Sequence, residues 1–175
     1  MRWLVYGCLL LAGFLAGGAG CHRPEPEIPV AADQEWVPLD HAQPRLPTLR
    51  LFLGEQTLVA EIARTPQQVA TGMMFRQEMK ENEAMLFVFT RPLRTSFYMR
   101  NTRLPLSCAY LDSAGTILEI HDLQPYNETP VEAATDQVQF VLETTQGWFE
   151  RHHIGVGAVL RGEDRSLSEA CFPAR

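Results

Sequence analysis

Short runs of apolar residues, each followed by turn-forming residues, recur along the chain from residue 48 onward. Leu49, Leu51 and Leu53 alternate with other residues, Gly54 marks a turn, and the alternation resumes over residues 58–62. Side chains that alternate in this way lie on one face of a strand, so the pattern predicts a β-hairpin. Further runs of strand length are residues 84–89, 97–99, 106–111, 116–123, 137–143 and 158–161. Their regular spacing favours a sheet protein with little helix.

Two short helices are predicted between the strands. Thr65, Pro66 and Gln68 have the order of an N-cap, a first-turn proline and a capping-box glutamine, so a helix should begin there and end at Gly72. A second helix is predicted over residues 144–153. We therefore expect a mainly β fold with a minor α+β character. It should be a compact single domain, a β-barrel or sandwich-like structure of seven to eight short strands with two short helices.

The N-terminus has the features of an export signal. Arg2 supplies a positive charge, residues 4–16 form an apolar run, and residues 17–20 are small. Because Cys21 comes directly after them, the segment resembles the lipobox of bacterial lipoproteins, which implies removal of residues 1–20 and a lipid on Cys21. The alternative is an ordinary cleaved signal that leaves Cys21 as a thiol.

The rest of the chain divides by composition. Residues 21–47 contain six of the twelve prolines, which predicts an extended, lipid-anchored tether. Trp36, within this tether, could dock onto the globular domain. Residues 48–163 should form the globular β domain and residues 164–175 a C-terminal tail. We expect the exported protein to face the periplasm from a membrane, inner or outer.

The charge and the motifs exclude several classes of function. The chain has 15 Lys and Arg residues against 21 Asp and Glu residues, a net charge of −6, so it is a poor partner for nucleic acid. It contains no H-E-x-x-H, G-x-S-x-G or C-x-x-C motif and no phosphate-binding glycine loop. We expect no cofactor, and no catalytic residue can be assigned.

Two cysteines, Cys108 and Cys171, lie beyond the predicted lipidation site. In an oxidising compartment they could form a disulfide, which would stabilise the fold by about 4 kcal/mol. The alternative is two separate buried thiols that act as small apolar groups.

Several motifs resemble, in order, the family catalogued as domain of unknown function 192. The resemblance covers residues 49–162 and rests on the segments 72–76, 84–89, 96–102, 104–106, 112–117, 141–143, 147–148 and 154–157. It implies a compact, mainly β domain that is often exported, and it implies no established activity. This chain departs from the family pattern with Tyr98 in place of Trp, Arg100 in place of Lys and Ser107 in place of Asp.

Polar residues among these apolar motifs are the candidate binding residues. Buried polar groups need partners, so Arg76, Asn101, Thr102 and Glu143 could surround a cleft and bind a small polar ligand. Aromatic side chains would supply the cleft wall, and the candidates are Phe97, Tyr98 and Trp148. The alternative is structural: Arg76 pairs with Glu143, Asn101 turns the chain, and the aromatic residues are core.

Two other chemistries remain open. Five methionines lie between Met73 and Met99, and with His121, His152 or His153 they could bind a soft metal such as Cu(I), although gap-filling in a core explains them without a metal. A hydrolytic enzyme could use a Cys108–His121 pair, or Asp112 with Glu143.

We therefore expect a membrane-anchored, periplasm-facing lipoprotein that acts as a binding or interaction module. Its partners would be the membrane, through the lipid on Cys21, and a small polar ligand, a glycan or an envelope protein.

Overall fold

The computed structural model describes residues 36–172, which contain ten strands and three short helices. The predicted signal and Cys21 lie outside the described residues. The strands are β1 (Thr48–Leu53), β2 (Gln56–Ala63), β3 (Glu83–Leu93), β4 (Ser96–Phe97), β5 (Leu106–Leu111), β6 (Ile117–Leu123), β7 (Val131–Glu132), β8 (Val138–Thr145), β9 (Leu160–Gly162) and β10 (Arg165–Ser166). The helices are α1 (Pro66–Thr71), α2 (Trp148–Arg151) and α3 (Leu167–Cys171).

Eight of the strands form one open sheet in the order β10-β9-β1-β2-β3-β8-β5-β6. β2 and β3 are parallel and connected through α1, whereas the other neighbours are antiparallel. β4 and β7 form a separate two-stranded sheet. The mainly β, single-domain prediction is confirmed, but the barrel alternative is wrong because β10 and β6 do not pair to close the sheet. The strand and helix counts were also too low, since β7, β10 and α3 are too short to give a periodic signal.

The sheet has an apolar cluster on each face. Ala109 and Leu111 of β5 belong to the first cluster, which also contains Trp148 of α2 and Cys171 of α3. Cys108 and its neighbours of the same parity belong to the second, which includes residues of β3, β4 and the segment after α1. β5 and β8 lie inside the sheet and are buried on both faces, which explains their continuous apolar runs.

The capping box predicted for α1 is confirmed. The Thr65 hydroxyl accepts a hydrogen bond from the backbone N–H of Gln68 (3.2 Å), and the Gln68 side chain accepts one from the N–H of Thr65 (3.1 Å). The helix ends at Gly72, whose φ of 46° lies in the region that favours glycine. The predicted helix over residues 144–153 is shorter, because β8 continues to Thr145 and only Trp148–Arg151 is helical.

The segment before β1 is bound to the domain. The backbone N–H of Leu39 donates to Thr71 Oγ1 (3.0 Å), and Gln43 Nε2 donates to the carbonyl oxygen of Gly72 (2.8 Å). The N–H of Leu46 donates to Glu61 Oε2 (2.7 Å). Residues 39–46, which were predicted as part of the tether, are therefore a strap across the edge of the domain.

Cys108 and Cys171 are both buried and free, in different apolar clusters. The disulfide is thus not formed, and the alternative of two separate buried thiols describes the structure. Within residues 36–172, every helix is too short to span a membrane.

A candidate binding cleft above Glu143

A cleft of about 360 Å³ opens on the face of the sheet that carries the second apolar cluster. Its walls come from the end of α1, from β3, from the segment around β4, and from Trp36, which precedes the strap. Gly72 makes the close approach of α1 to β3 possible, since the Phe87 ring lies 3.3 Å from where a side chain would begin. The local sequence that ends α1 therefore also shapes the cleft.

The walls are largely apolar. Phe87 and Phe97 pack edge to face with ring centroids 4.8 Å apart, and Trp36 lies 6.5 Å from Phe89 at the mouth. The apolar lining residues are Trp36, Val69, Ala70, Met73, Met74, Phe87, Phe89, Leu93, Phe97 and Met99. A cleft of this size and lining is suited to a small molecule with an apolar body.

Glu143 provides the buried ionisable group of the cleft. It lies on β8, directly between Met85 of β3 and Cys108 of β5, and only 4% of its surface is exposed. Its Oε2 atom has no hydrogen-bond partner among residues 36–172. Burial raises the pKa of the Glu143 carboxyl to about 8, because the charged form loses its water without gaining a donor.

The other buried polar side chains of the lining are already paired. The Thr71 hydroxyl donates to the carbonyl oxygen of Gln67 (2.7 Å), and the Thr102 hydroxyl donates to that of Arg100 (3.1 Å). Arg94 lies at the rim, where Nη2 donates to the carbonyl oxygen of Ala134 (3.0 Å) and 54% of its side chain is exposed. Glu143 is therefore the only buried ionisable side chain among those that line the cleft.

The structure brings together four of the seven candidate binding residues. Phe97, Tyr98, Thr102 and Glu143 line the cleft. Tyr98 is 39% exposed and forms part of the opening, whereas Phe97 is buried in the wall.

Arg76 has a partner that neither interpretation anticipated. Its Nη2 atom donates to Glu61 Oε2 (2.8 Å) and to the carbonyl oxygen of Pro44 (3.3 Å). The pairing of Arg76 with Glu143 is thus wrong, and Arg76 is not among the residues that line the cleft.

Asn101 and Trp148 have structural positions. Asn101 has a φ of 53°, and its carbonyl oxygen accepts a hydrogen bond from the N–H of Phe75 (2.8 Å), as expected of a turn residue. Trp148 is buried in the first cluster, where it packs against Phe149 and His152. Its ring therefore belongs to the opposite face of the sheet and does not line the cleft.

The methionines and the histidines proposed as joint metal ligands lie in different parts of the structure. Met73, Met74 and Met99 line the cleft, but His121 pairs with Glu119 (3.0 Å) and the other histidines are also absent from the lining. In the part of the chain that the structure describes, no three His, Cys, Asp or Glu side chains are placed to bind a metal. The thioethers are thus brought together without the nitrogen ligands that were expected to join them.

Cys108 and Asp112, two of the residues considered for hydrolysis, are not activated. Cys108 and His121 are opposite each other on β5 and β6, but the thiol is completely buried. Burial and the nearby Glu143 raise the pKa of Cys108 well above its usual value, which keeps it protonated, whereas a nucleophilic cysteine needs a lowered pKa. The Asp112 carboxylate accepts hydrogen bonds from the N–H groups of Ala114 (2.9 Å) and Thr116 (2.8 Å) and so holds the turn before β6.

Sequence reasoning missed Met73, Met74 and Met99 as lining residues, and it treated Trp36 as optional. A signal was present for Met73 and Met74, since the capping box and Gly72 determine where α1 ends and hence where the next residues lie. For Trp36 there was none, because its position depends on the strap's contacts with α1.

Comparison with known proteins gives a family match and two solved structures. The model of DUF192, described as an uncharacterized ACR, matches residues 50–162. A protein of Sinorhizobium meliloti 1021, provisionally named a transcription regulator, is 30% identical with a TM-score of 0.66, and the match covers 69% of this chain and 97% of that one. A protein of unknown function from Novosphingobium aromaticivorans DSM 12444 is 32% identical with a TM-score of 0.63, over 66% of this chain and 85% of that one. No curated protein matches the chain.

Proposed function

We propose that this chain, which belongs to the DUF192 family, is a membrane-anchored binding module that holds a small, mainly apolar molecule in the cleft above Glu143. The observation that carries the proposal is the Glu143 carboxyl, which is 4% exposed, lines the cleft and has an oxygen without a donor among residues 36–172. A buried carboxyl without partners lowers stability by roughly 1 to 3 kcal/mol or more, which a ligand that pairs with it would offset.

The shape of the cleft supports a small molecule over a glycan or a protein. A glycan needs many hydrogen-bonding groups, but the two buried lining hydroxyls, those of Thr71 and Thr102, already donate to backbone carbonyl groups. The remaining lining hydroxyls, on Thr95, Ser96 and Tyr98, are exposed or partly exposed. A protein partner would need a surface much larger than an opening of this size. The apolar walls instead favour one compact apolar group, with a single polar atom directed at Glu143.

The anchoring part of the proposal rests on the sequence. The apolar run, the small residues before Cys21 and the prolines after it favour a lipid on Cys21 and a domain held outside the membrane. The name of the Sinorhizobium protein suggests nucleic acid as a partner. The net charge of −6 makes that role unfavourable for this chain.

Binding can be tested with the full chain in detergent micelles, labelled at the methionine methyl groups and titrated with neutral 2-phenylethanol. We expect the NMR signals of Met73 and Met99, which line the cleft, to shift and saturate, while that of Met79 outside it stays constant. The variant Ala70→Phe, which places a ring in the cleft, should abolish the shifts, and Val156→Phe, which adds the same ring at an exposed position, should retain them. If the cleft methionines do not respond, or respond equally in Ala70→Phe, the proposal is wrong.

The anchor requires a separate test. Replacement of Cys21 by Ala should move the protein from the membrane fraction to the soluble fraction, since the acyl chains supply the binding energy. Mass spectrometry of the unaltered protein should show acylated Cys21 as its first residue. Retention of the variant in membranes would contradict the lipid assignment without affecting the cleft.

A soft metal is a second candidate ligand, because Met73, Met74 and Met99 line the same cleft as Glu143. Thioethers bind Cu(I) and its analogue Ag(I). Titration with Ag(I) should then shift the three methyl signals at micromolar metal. If they shift only at millimolar metal, or if Met79 shifts equally, the methionines are apolar wall residues.

A further inference from the structure

The cleft has buried charge of one sign only. Three ionisable residues line it: Glu143 is buried, whereas Arg94 and Tyr98 lie at the opening. The Arg94 guanidinium is held at the rim by the carbonyl oxygen of Ala134. No positive group of the lining therefore reaches the carboxyl. The pKa of Glu143 is raised by the loss of water on burial.

A second buried carboxylate on the same face shows what such a group requires. Glu61 of β2, Met85 of β3 and Glu143 of β8 are register partners in one row across the sheet. Glu61 is 6% exposed and accepts hydrogen bonds from Arg45 (2.7 Å), Arg76 (2.8 Å) and the N–H of Leu46 (2.7 Å). Glu143 is buried to the same extent and has no counterpart to these donors among residues 36–172. A ligand with a positive group could take the place that Arg76 has beside Glu61.

The walls are also suited to positive charge. Aromatic rings attract cations through the negative charge of their faces, and thioether sulfur is polarisable. The rings of Phe87 and Phe97 pack against each other in the wall, and Trp36 lies near Phe89. Met99 also lines the cleft. A cation is therefore the charged group that the buried part of the cleft would favour, since the positive Arg94 lies only at the rim.

We infer that the ligand is an organic cation, whose protonated amine contacts the Glu143 carboxylate and whose apolar part packs against the aromatic and methionine walls. This inference rests on the proposed function and assigns a chemical class to the ligand of that cleft. The competing arrangement is a neutral ligand whose carbonyl oxygen accepts a hydrogen bond from the protonated Glu143.

The two arrangements have opposite pH dependence. A cation binds the carboxylate, so its affinity should rise with pH up to the pKa of Glu143, whereas a carbonyl binds the protonated form and should be lost above that pKa. On the neighbouring strand β5, Cys108 and Tyr110 also face Glu143, but burial raises both of their pKa values far above their usual range. The residue opposite on β3 is Met85, which does not titrate. His121 of β6, opposite Cys108, lies on the same face and is paired with Glu119 (3.0 Å), so comparison with the variant Glu143→Gln is needed to assign the pH dependence to Glu143.

The experiment uses three phenylalkyl probes of matched size with the full chain in detergent micelles and amine-free phosphate buffer. The probes are 2-phenylethylammonium, neutral 2-phenylethanol and anionic 3-phenylpropanoate, and binding is measured from the methionine methyl signals. We expect the cation to bind at least tenfold more tightly than the alcohol at pH 8, and its affinity to fall by up to about 50-fold between pH 8 and pH 6. The anion should bind more weakly than the alcohol.

The variant Glu143→Gln keeps the shape of the side chain and removes its charge. It should reduce the cation to the affinity of the alcohol and abolish its pH dependence, while the alcohol still binds. Glu128→Gln changes the net charge equally at an exposed position and should alter neither probe's affinity by more than twofold. Circular dichroism of each variant checks that the fold is retained.

The outcomes separate this inference from the proposed function. If the alcohol binds in the cleft as tightly as the cation at pH 8, or if the affinity of the cation is higher at pH 6 than at pH 8, the organic cation is wrong and the binding function stands. If neither probe shifts the cleft methionines, both are wrong. If the cation binds with unchanged preference in Glu143→Gln, the carboxylate does not select the ligand and the inference is overturned.

Discussion

The uncompensated burial of Glu143 should make the stability of the protein depend on pH, and Glu143→Gln isolates the effect. In the folded chain, burial raises the pKa of Glu143 to about 8 from the usual 4.5. The folded state therefore binds the proton more tightly than the unfolded state does. Its stabilising contribution is complete below pH 4.5 and is lost as the pH rises towards 8. Glutamine has a similar shape and does not titrate, so the variant should lack this loss.

The magnitude depends on the two pKa values. Between them each pH unit lowers the free energy of unfolding by about 1.4 kcal/mol, so the wild type should lose about 3 kcal/mol between pH 4.5 and pH 7. This is a large part of the roughly 5 to 15 kcal/mol typical of a domain. All other titrating groups are common to both proteins, so the difference between them reports Glu143 alone.

Urea unfolding in detergent micelles, followed by tryptophan fluorescence, measures both proteins at pH 5, 6, 7 and 8. Trp148 is a suitable probe because it is buried on the opposite face of the sheet from Glu143. We expect the stability of Glu143→Gln relative to the wild type to increase with pH over this range. A constant difference from pH 5 to pH 8 would refute the reasoning, since Glu143 would then have the same pKa in both states.

The packing supports three further predictions. Arg76→Met should lower the free energy of unfolding by about 1 to 3 kcal/mol in the same urea assay, because it removes one of the three donors to the buried Glu61 carboxylate. Trp36→Ala should weaken binding of 2-phenylethylammonium severalfold by removing a ring from the mouth, with a Tm within a few degrees of the wild type. Cys108 and Cys171 should resist alkylation by iodoacetamide until urea unfolds the protein, and mass spectrometry of peptides from the native protein should show both as unmodified thiols.

Local signals predicted the elements that local interactions determine. The alternation around Gly54 predicted β1 and β2, and the capping box predicted α1 with both of its reciprocal hydrogen bonds. Closure of the sheet could not be predicted in this way, because it depends on whether β6 and β10, which are distant in sequence, pair. The end of β8 was misplaced for a similar reason: Thr144 and Thr145 pair with β5, which overrides a weak helical pattern.

The candidate site could also be predicted only where local sequence determines the structure. The apolar motifs around Phe97 and Glu143 identified residues that line the cleft, since a polar residue inside a buried strand requires a partner wherever the strand lies. The choice of partner for Arg76 was not encoded locally. Two buried carboxylates were available, and the strap, which places Pro44 and Arg45 beside Glu61, determines which of them Arg76 joins. Trp148, a candidate for the cleft wall, is a core residue as the structural alternative had it, because the turn at Gly147 lies between β8 and α2 and changes the direction of the side chains.

The comparison of Glu61 with Glu143 also bears on why the cleft exists. Both carboxylates lie in the same row of the sheet, and an apolar residue at position 143 would remove the loss of about 3 kcal/mol that the buried acid imposes at pH 7. Donors could readily be supplied by the chain itself, as the strap does for Glu61. Glu143 lines a cleft and has an oxygen without a donor among the described residues. A ligand that binds in the cleft and pairs with the carboxyl would explain this arrangement. Tight binding of an ammonium group would supply that partner, and the same contact would lower the pKa of Glu143 and stabilise the folded domain.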